Sequence, residues 1–298
     1  MSEFFQYVVV GLANGGVYAT LALALVLIHR ATGIVNFAQG EMGMFCTFIA
    51  WSLITHHGLP YWPAFFLTLL IAFAGGAATY KVVIQPLSRT GELTVVMATI
   101  ALLIILNGLA GWIWSPEVKF LRSPSPFAPG DHFEVGGVIV NKQDLTVIVI
   151  SLICVALVFL FFRFTRLGLQ MRASAVGPAT SRLLGIRVAM MLSIGWGLAA
   201  VLSAVSGMLA ASQLELDPNF MLIVLTYAFA AAVLGGIDSP IGSVVGAFII
   251  GIGISLLSGY ASSFLGTELQ LPLALAVLML VLIVRPAGLF GQVVVRRV

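Results

Sequence analysis

The chain has 298 residues, of which 60% are hydrophobic and only 8% charged, with 14 Lys and Arg against 11 Asp and Glu. Its mean hydropathy is +1.12. A water-soluble domain of this length would carry about a quarter of its residues as charges, so these figures exclude one and make lipid the solvent. The net charge of +3 does not imply a nucleic-acid partner, because in a membrane chain the placement of the charges matters more than their sum.

Taken in chain order, apolar runs long enough to approach the roughly 20 residues of a membrane-crossing helix are Phe4–Ile28, Phe37–Ile54, Trp62–Tyr80, Leu93–Trp114, Leu145–Phe162, Met190–Gln213, Met221–Leu234, Gly242–Leu257 and Leu269–Val284. The expected fold is therefore all-α, a polytopic transmembrane helical bundle of about nine spans (eight to ten) in a single domain over residues 1–298. The seventh and eighth runs are short and stand either as two spans or as a pair of broken half-helices around Gly235–Ile241. Runs this continuous do not alternate as the strands of a membrane barrel do. The start, Met1-Ser2-Glu3, lacks the basic residues of a cleavable signal.

If nine spans alternate, Arg30, Lys81, Arg89, Arg163, Arg166, Arg172, Arg182, Arg187, Arg285, Arg296 and Arg297 share one side, and only Lys119, Arg122 and Lys142 fall on the other. Basic residues accumulate on the cytoplasmic side. Eleven against three places the N-terminus outside and the C-terminus inside. The outer loop Ser115–Asp144 contains four prolines and cannot be a simple helix. The inner loop Arg163–Arg187 has five arginines and no acid. Attraction to anionic lipid explains its charge, whereas Leu183-Leu184-Gly185-Ile186 suggests packing on a protein.

Small residues recur every fourth position at Gly11/Gly15, Ala199/Ser203/Gly207/Ala211 and Gly242/Gly246. Such stripes let helix backbones approach closely in lipid, here chiefly within one bundle. Cys46 and Cys154 both lie in apolar runs and read as small hydrophobes. The dipeptide Gly-Lys never occurs, so no nucleotide-binding loop can be written, and no metal-ligand spacing or cluster of nucleophile and base is present. No catalysis, metal or cofactor is expected.

Polar residues within the spans are few, and an ionisable one at membrane depth is a functional candidate because of its desolvation cost. Glu41 follows Asn36-Phe37-Ala38-Gln39-Gly40 near the inner end of the second span, and Asp238 lies in Gly235-Gly236-Ile237-Asp238-Ser239-Pro240. Each carboxylate either caps a helix start or faces a permeation path. Glycine-interrupted helices point to a transport site, which makes Asn36, Gln39, Gly40, Glu41, Gly235, Gly236 and Asp238 the candidate pathway residues. Two carboxylates are few for a proton- or sodium-driven carrier, and this favours an energy source outside the chain.

Five stretches carry a family resemblance. They are Gly33-Ile34-Val35-Asn36-Phe37-Ala38-Gln39-Gly40-Glu41, Arg163-Phe164-Thr165-Arg166-Leu167-Gly168, Leu183-Leu184-Gly185-Ile186, Ala231-Ala232-Val233-Leu234-Gly235-Gly236-Ile237 and Arg285-Pro286-Ala287-Gly288-Leu289-Phe290-Gly291. In this order the chain resembles, over nearly its whole length, the permeases of the high-affinity branched-chain amino acid ABC importers, the LivH-type subunit. The resemblance implies a bacterial inner-membrane importer in which the permease pairs with a second, related permease, two cytoplasmic ATPases and a periplasmic binding protein. It also implies that the inner loop is the ATPase coupling segment, with Arg172, Ala173, Pro178, Leu184 and Gly185 as its candidate residues. After Arg172-Ala173 the family commonly has polar or acidic residues, whereas this chain has Val176-Gly177-Pro178, so the coupling helix is expected to begin near Pro178. The Asn-Phe-Ala-Gln-Gly motif is shared with urea and short-amide permeases. Such a permease, or a self-contained carrier or channel coupled through Glu41 and Asp238, is the alternative reading.

Overall fold

In lipid every backbone N–H and C=O must find its partner within the chain, and a helix does this inside one segment. The apolar runs follow that rule. The computed structural model describes residues 2–125, 127, 130–135, 138–265, 272, 275–276, 279, 283 and 288–291. Its helices are α1 (Ser2–Thr32), α2 (Gln39–Thr55), α3 (Tyr61–Leu87) and α4 (Glu92–Trp114). After an outer loop come α5 (Lys142–Phe164), α6 (Arg166–Val176), α7 (Pro178–Leu183), α8 (Val188–Ala210), α9 (Phe220–Gly235) and α10 (Pro240–Leu265). Eight expected spans thus fall on helices, and the ninth, Leu269–Val284, lies almost wholly outside the described residues. Six helices (α1, α3, α4, α5, α8 and α10) are long and apolar enough to cross a membrane. By contrast, α2 has 17 residues and α9 only 16. At 1.5 Å per residue each is roughly 25 Å long, short of a hydrocarbon core of about 30 Å.

The centre of the bundle is α1, packed against α5, α8, α9 and α10. Its glycines permit the closest crossing, since a Cβ on Gly11 would stand 2.6 Å from the Cα of Ile252 and one on Gly251 2.5 Å from the N of Gly15. The stripe on α8 faces α2, where a Cβ on Gly207 would meet the carbonyl oxygen of Gly43 at 2.8 Å. All three small-residue stripes are therefore spent inside the chain. Serines add hydrogen bonds between helices: Ser206 donates to the Val17 carbonyl (2.9 Å), Ser255 to that of Tyr7 (2.7 Å) and Ser193 to that of Ala77 (3.1 Å). Both cysteines are free.

Within α3 the last turns widen to a π-helix over Tyr80–Ile84. Pro86 explains it: the ring lacks an N–H and would collide with the carbonyl four residues earlier, and the wider turn relieves that clash. The proline-rich loop, where described, is irregular, as expected, but ends in two short antiparallel strands, β1 (His132–Val135) and β2 (Val138–Asn141), paired from His132↔Asn141 to Val135↔Val138. A second tie, Lys119 to Leu216, joins it to the loop after α8 through two backbone hydrogen bonds of 2.9 Å.

The seventh and eighth runs form an antiparallel hairpin. Between α9 and α10 the turn spans only residues 236–239, and Gly236 adopts a φ of 103° that favours glycine. Gly235 and Gly242 lie against each other across it. The backbone N–H groups of Leu289 and Phe290 donate to the last carbonyls of α9, those of Leu234 (2.8 Å) and Gly235 (3.0 Å). The terminal Gly-Leu-Phe segment thus supplies partners that the helix end lacks.

Candidate functional site

Residues 33–38 separate α1 from α2. Gln39, the first residue of α2, donates from Nε2 to the Ala199 carbonyl at 2.9 Å and to Ser203 Oγ at 2.6 Å. Those partners are the twelfth and sixteenth residues of the 23-residue α8. The second helix therefore starts about halfway along its neighbour, and the chain climbs back into the bundle to reach it. Glu41 stands at the end of the second span where the sequence puts it, but that end lies about halfway along α8. The sequence hid it because Ile34, Val35, Phe37 and Ala38 are as apolar as a helix would be. Ile34 and Val35, half-buried, pack on two different apolar clusters, whereas Phe37 is exposed.

Irregular backbone at this depth persists only where its polar groups are met by protein. Asn36, fully buried, does this twice: its Oδ1 accepts from the Ala38 N–H (3.1 Å) and its Nδ2 donates to Gln39 Oε1 (2.7 Å). The Phe37 N–H donates to Thr99 Oγ1 of α4 at 3.4 Å. A chain of buried polar side chains, Asn36 to Gln39 to Ser203, thus locks the break to α8. Gly40 is the small residue that lets α9 lie close, since a Cβ there would come within 3.1 Å of that of Leu225.

Glu41 is 1% exposed and lies in the first turn of α2, where the helix dipole favours a carboxylate. It is not the cap. The N-cap position is Ala38, with no side-chain cap bond. The carboxylate Oε2 instead accepts from Asn107 Nδ2 of α4 at 3.4 Å, and Oε1 has no hydrogen-bond partner among the described residues. Asn107 also donates to the Pro218 carbonyl (2.9 Å) and to Asn219 Oδ1 (3.2 Å) in the loop before α9.

The second glycine break lies elsewhere. Asp238 has a side chain 61% exposed, with Oδ1 3.4 Å from His29 Nδ1 at the end of α1. Nor does Asp238 cap the following helix. Ser239 does, accepting from the Gly242 N–H at 3.0 Å, with Pro240 as the first helical residue. Gly235 and Gly236 serve the hairpin turn. Of the seven candidate pathway residues, Asn36, Gln39, Gly40 and Glu41 are brought together, whereas Gly235, Gly236 and Asp238 form a separate end of the molecule. Thr99, Ser203 and Asn219 were missed. Ser203 reads in sequence as one member of a small-residue stripe, and Asn219 as an ordinary loop residue, whereas Asn107 stands out as a lone amide in an apolar run.

The arginine-rich segment folds as two helices outside the long ones. Thr165 caps α6, its Oγ1 accepting from the Gly168 N–H at 3.0 Å, and α7 begins at Pro178 as expected. Its end is a left-handed cap: the Ile186 N–H donates to the Ser181 carbonyl and the Gly185 N–H to that of Arg182, both at 3.0 Å, with Gly185 at φ 78°. Arg172, Pro178, Leu184 and Gly185 are exposed and Ala173 is half-buried. Val176, Leu183 and Leu184, 88%, 89% and 76% exposed, stand among Arg172, Arg182 and Arg187.

Residues 7–284 match the family model described as branched-chain amino acid transport system / permease component. Among curated proteins, the chain is 28% identical to the high-affinity branched-chain amino acid transport system permease protein BraD of Pseudomonas aeruginosa, over 99% of this chain and 98% of that one. The corresponding LivH protein of Salmonella typhimurium is 28% identical over the same shares. The probable branched-chain amino acid transport permease protein LivH of Methanocaldococcus jannaschii is also 28% identical, over 91% of this chain and 87% of its own.

Proposed function

The chain belongs to the branched-chain amino acid transport permease family, and from that premise we propose that it is the membrane-spanning subunit of an ATP-driven importer for branched-chain or related amino acids. The chain is a permease component and not itself an enzyme; ATP hydrolysis belongs to partner subunits. It is a multi-pass membrane protein. The finer reading is one permease domain over residues 1–298 with about nine spans (eight to ten), N-terminus outside and C-terminus inside, in a bacterial inner membrane. The assembly we infer contains a second homologous permease, two cytoplasmic ATPases and a periplasmic binding protein that delivers substrate from outside. Membrane lipid covers the exposed apolar faces of α4 and α5.

One observation carries the ATP-driven reading. Val176, Leu183 and Leu184 project from short helices among arginines, outside the long helices. Apolar side chains at that position need a protein surface to cover them, and a self-contained carrier has no use for it. Arg172, Ala173, Pro178, Leu184 and Gly185 are the residues we assign to the coupling segment. Closure of the ATPases would push on α6 and α7, and α6, packed against α5 and α8, would pass the movement into the bundle. Transport is then alternating access, with no chemistry performed on the substrate. The test is uptake of radiolabelled leucine by the assembled importer when an uncoupler collapses the proton gradient and ATP is held constant. Uptake should persist at its original rate. Its loss at constant ATP would show a carrier driven by the proton gradient.

A further inference from the structure

The hydrogen-bond balance around Glu41 is uneven. Three acceptors (Glu41 Oε2, the Pro218 carbonyl and Asn219 Oδ1) all lie within 3.4 Å of the same Asn107 Nδ2. An amide NH2 has two hydrogens, so one acceptor is always short of a donor. Exchanging the amide's O and N would leave none of the three with a donor. Glu41 Oε1 adds a fourth acceptor, buried and unpartnered among the described residues. No ion pair reaches Glu41 there either; the two ion pairs lie at Asp238 and at Asp131. The cluster therefore lacks both N–H groups and one positive charge.

We propose that Glu41, Asn107 and Asn219 form a recognition point, midway across the bundle, for the ammonium group of the transported amino acid. It rests on the amino-acid reading above. A primary ammonium carries three N–H donors and one positive charge, enough for the two acceptors left short and for the missing charge. Asn219 is exposed and Asn107 half-buried, so the carboxylate is approached past Asn219 through the loop before α9. The 3.4 Å bond from Asn107 to Glu41 is long for a charge-assisted one, and an arriving ammonium can replace it. A metal ion fits worse. A single carboxylate supplies too few oxygens for the six or more that calcium or its relatives take, and the Asn107 N–H groups point among the acceptors. A neutral urea or amide would supply donors without the charge.

The experiment uses the complete importer in proteoliposomes, with radiolabelled leucine as probe and two readouts: uptake, and ATP hydrolysis stimulated by loaded binding protein. Glu41→Gln keeps one acceptor oxygen for Asn107, removes the charge and turns the other oxygen into an NH2 donor. Asn219→Lys places a tethered ammonium at the entrance. Each should lower uptake at least tenfold at normal membrane abundance, with stimulated hydrolysis within twofold of wild type. Replacing sodium by choline should leave wild-type uptake unchanged. Should Glu41→Gln fail to reach the membrane, Asn219→Lys, at an exposed position, decides alone. Wild-type uptake in either variant, uptake and hydrolysis falling in parallel, or sodium-dependent uptake would each overturn the assignment. Leucine uptake absent from the wild-type importer would instead remove the substrate reading, and the inference with it.

Discussion

Gly185 illustrates how one residue can have two explanations that experiment separates. Its φ of 78° is strained for any side chain with a Cβ, by about 1–2 kcal/mol, though asparagine tolerates this region. A Cβ there would meet nothing within 4 Å, so a large side chain would project outward from the end of α7. Gly185→Asn should keep uptake near wild type, because both bonds of the cap survive. Gly185→Trp should lower uptake and stimulated ATP hydrolysis together, severalfold or more, at unchanged membrane abundance. Wild-type hydrolysis in the tryptophan variant would mean that no ATPase docks there. The same scale explains Asn36. One amide closes the turn at Ala38 and orients Gln39, whose own amide fastens the break to α8. The function of that motif, on this geometry, is to hold irregular backbone at membrane depth.

Among the helices packed within the bundle, α2 and α9 are shorter than the six long ones. Their shortness follows from where the chain breaks. The first break lies midway along α8, and the second at the α9–α10 hairpin. Close packing through glycine holds α2 to α8, so the two kinds of glycine in this chain should respond differently to substitution. Gly207→Leu drives a side chain into the Gly43 carbonyl. Overpacking of this kind costs about 1–3 kcal/mol where neighbours can shift, and backbone cannot readily do so. A marked fall in thermal stability in detergent is expected, and in the amount recovered folded. Gly108→Leu, exposed on α4 with nothing within 4 Å of an added Cβ, should leave both unchanged. Equal losses in the two variants would mean that the α8 stripe is not the α2 contact.

For the whole molecule, the open quantity is the orientation. The eleven-to-three bias of basic residues predicts which side of the bundle faces the cytoplasm. A reporter active only in the cytoplasm should work when fused after Arg89 or Arg172 and fail when fused after Arg122 in the outer loop. Activity after Arg122 would reverse the orientation or require an uneven number of crossings among the first four spans. The pairing of Lys119 with Leu216 puts the loop after α8 on the same side as that outer loop, so a fusion after Glu215 should fail likewise.

By itself the sequence determined the membrane class, the positions of eight helices and the start of α7 at Pro178. Each of these depends on local quantities: the apolar content of a run, or the fixed φ and missing N–H of a proline. It also marked Asn36, Gln39, Glu41 and Asp238 as polar groups at a cost in lipid. It did not determine which of them belong together. Glu41 and Asp238 looked equivalent, each a carboxylate near a glycine break. Yet one is buried against Asn107 and the other exposed beside His29 at the end of α1. Only tertiary structure decided that, because hydrogen bonds to Ala199, Ser203 and Asn107 link residues 66 to 164 positions apart. Apolar residues preceding Gln39 disguised its depth, since an extended apolar segment within the bundle and a helix in lipid satisfy the same composition.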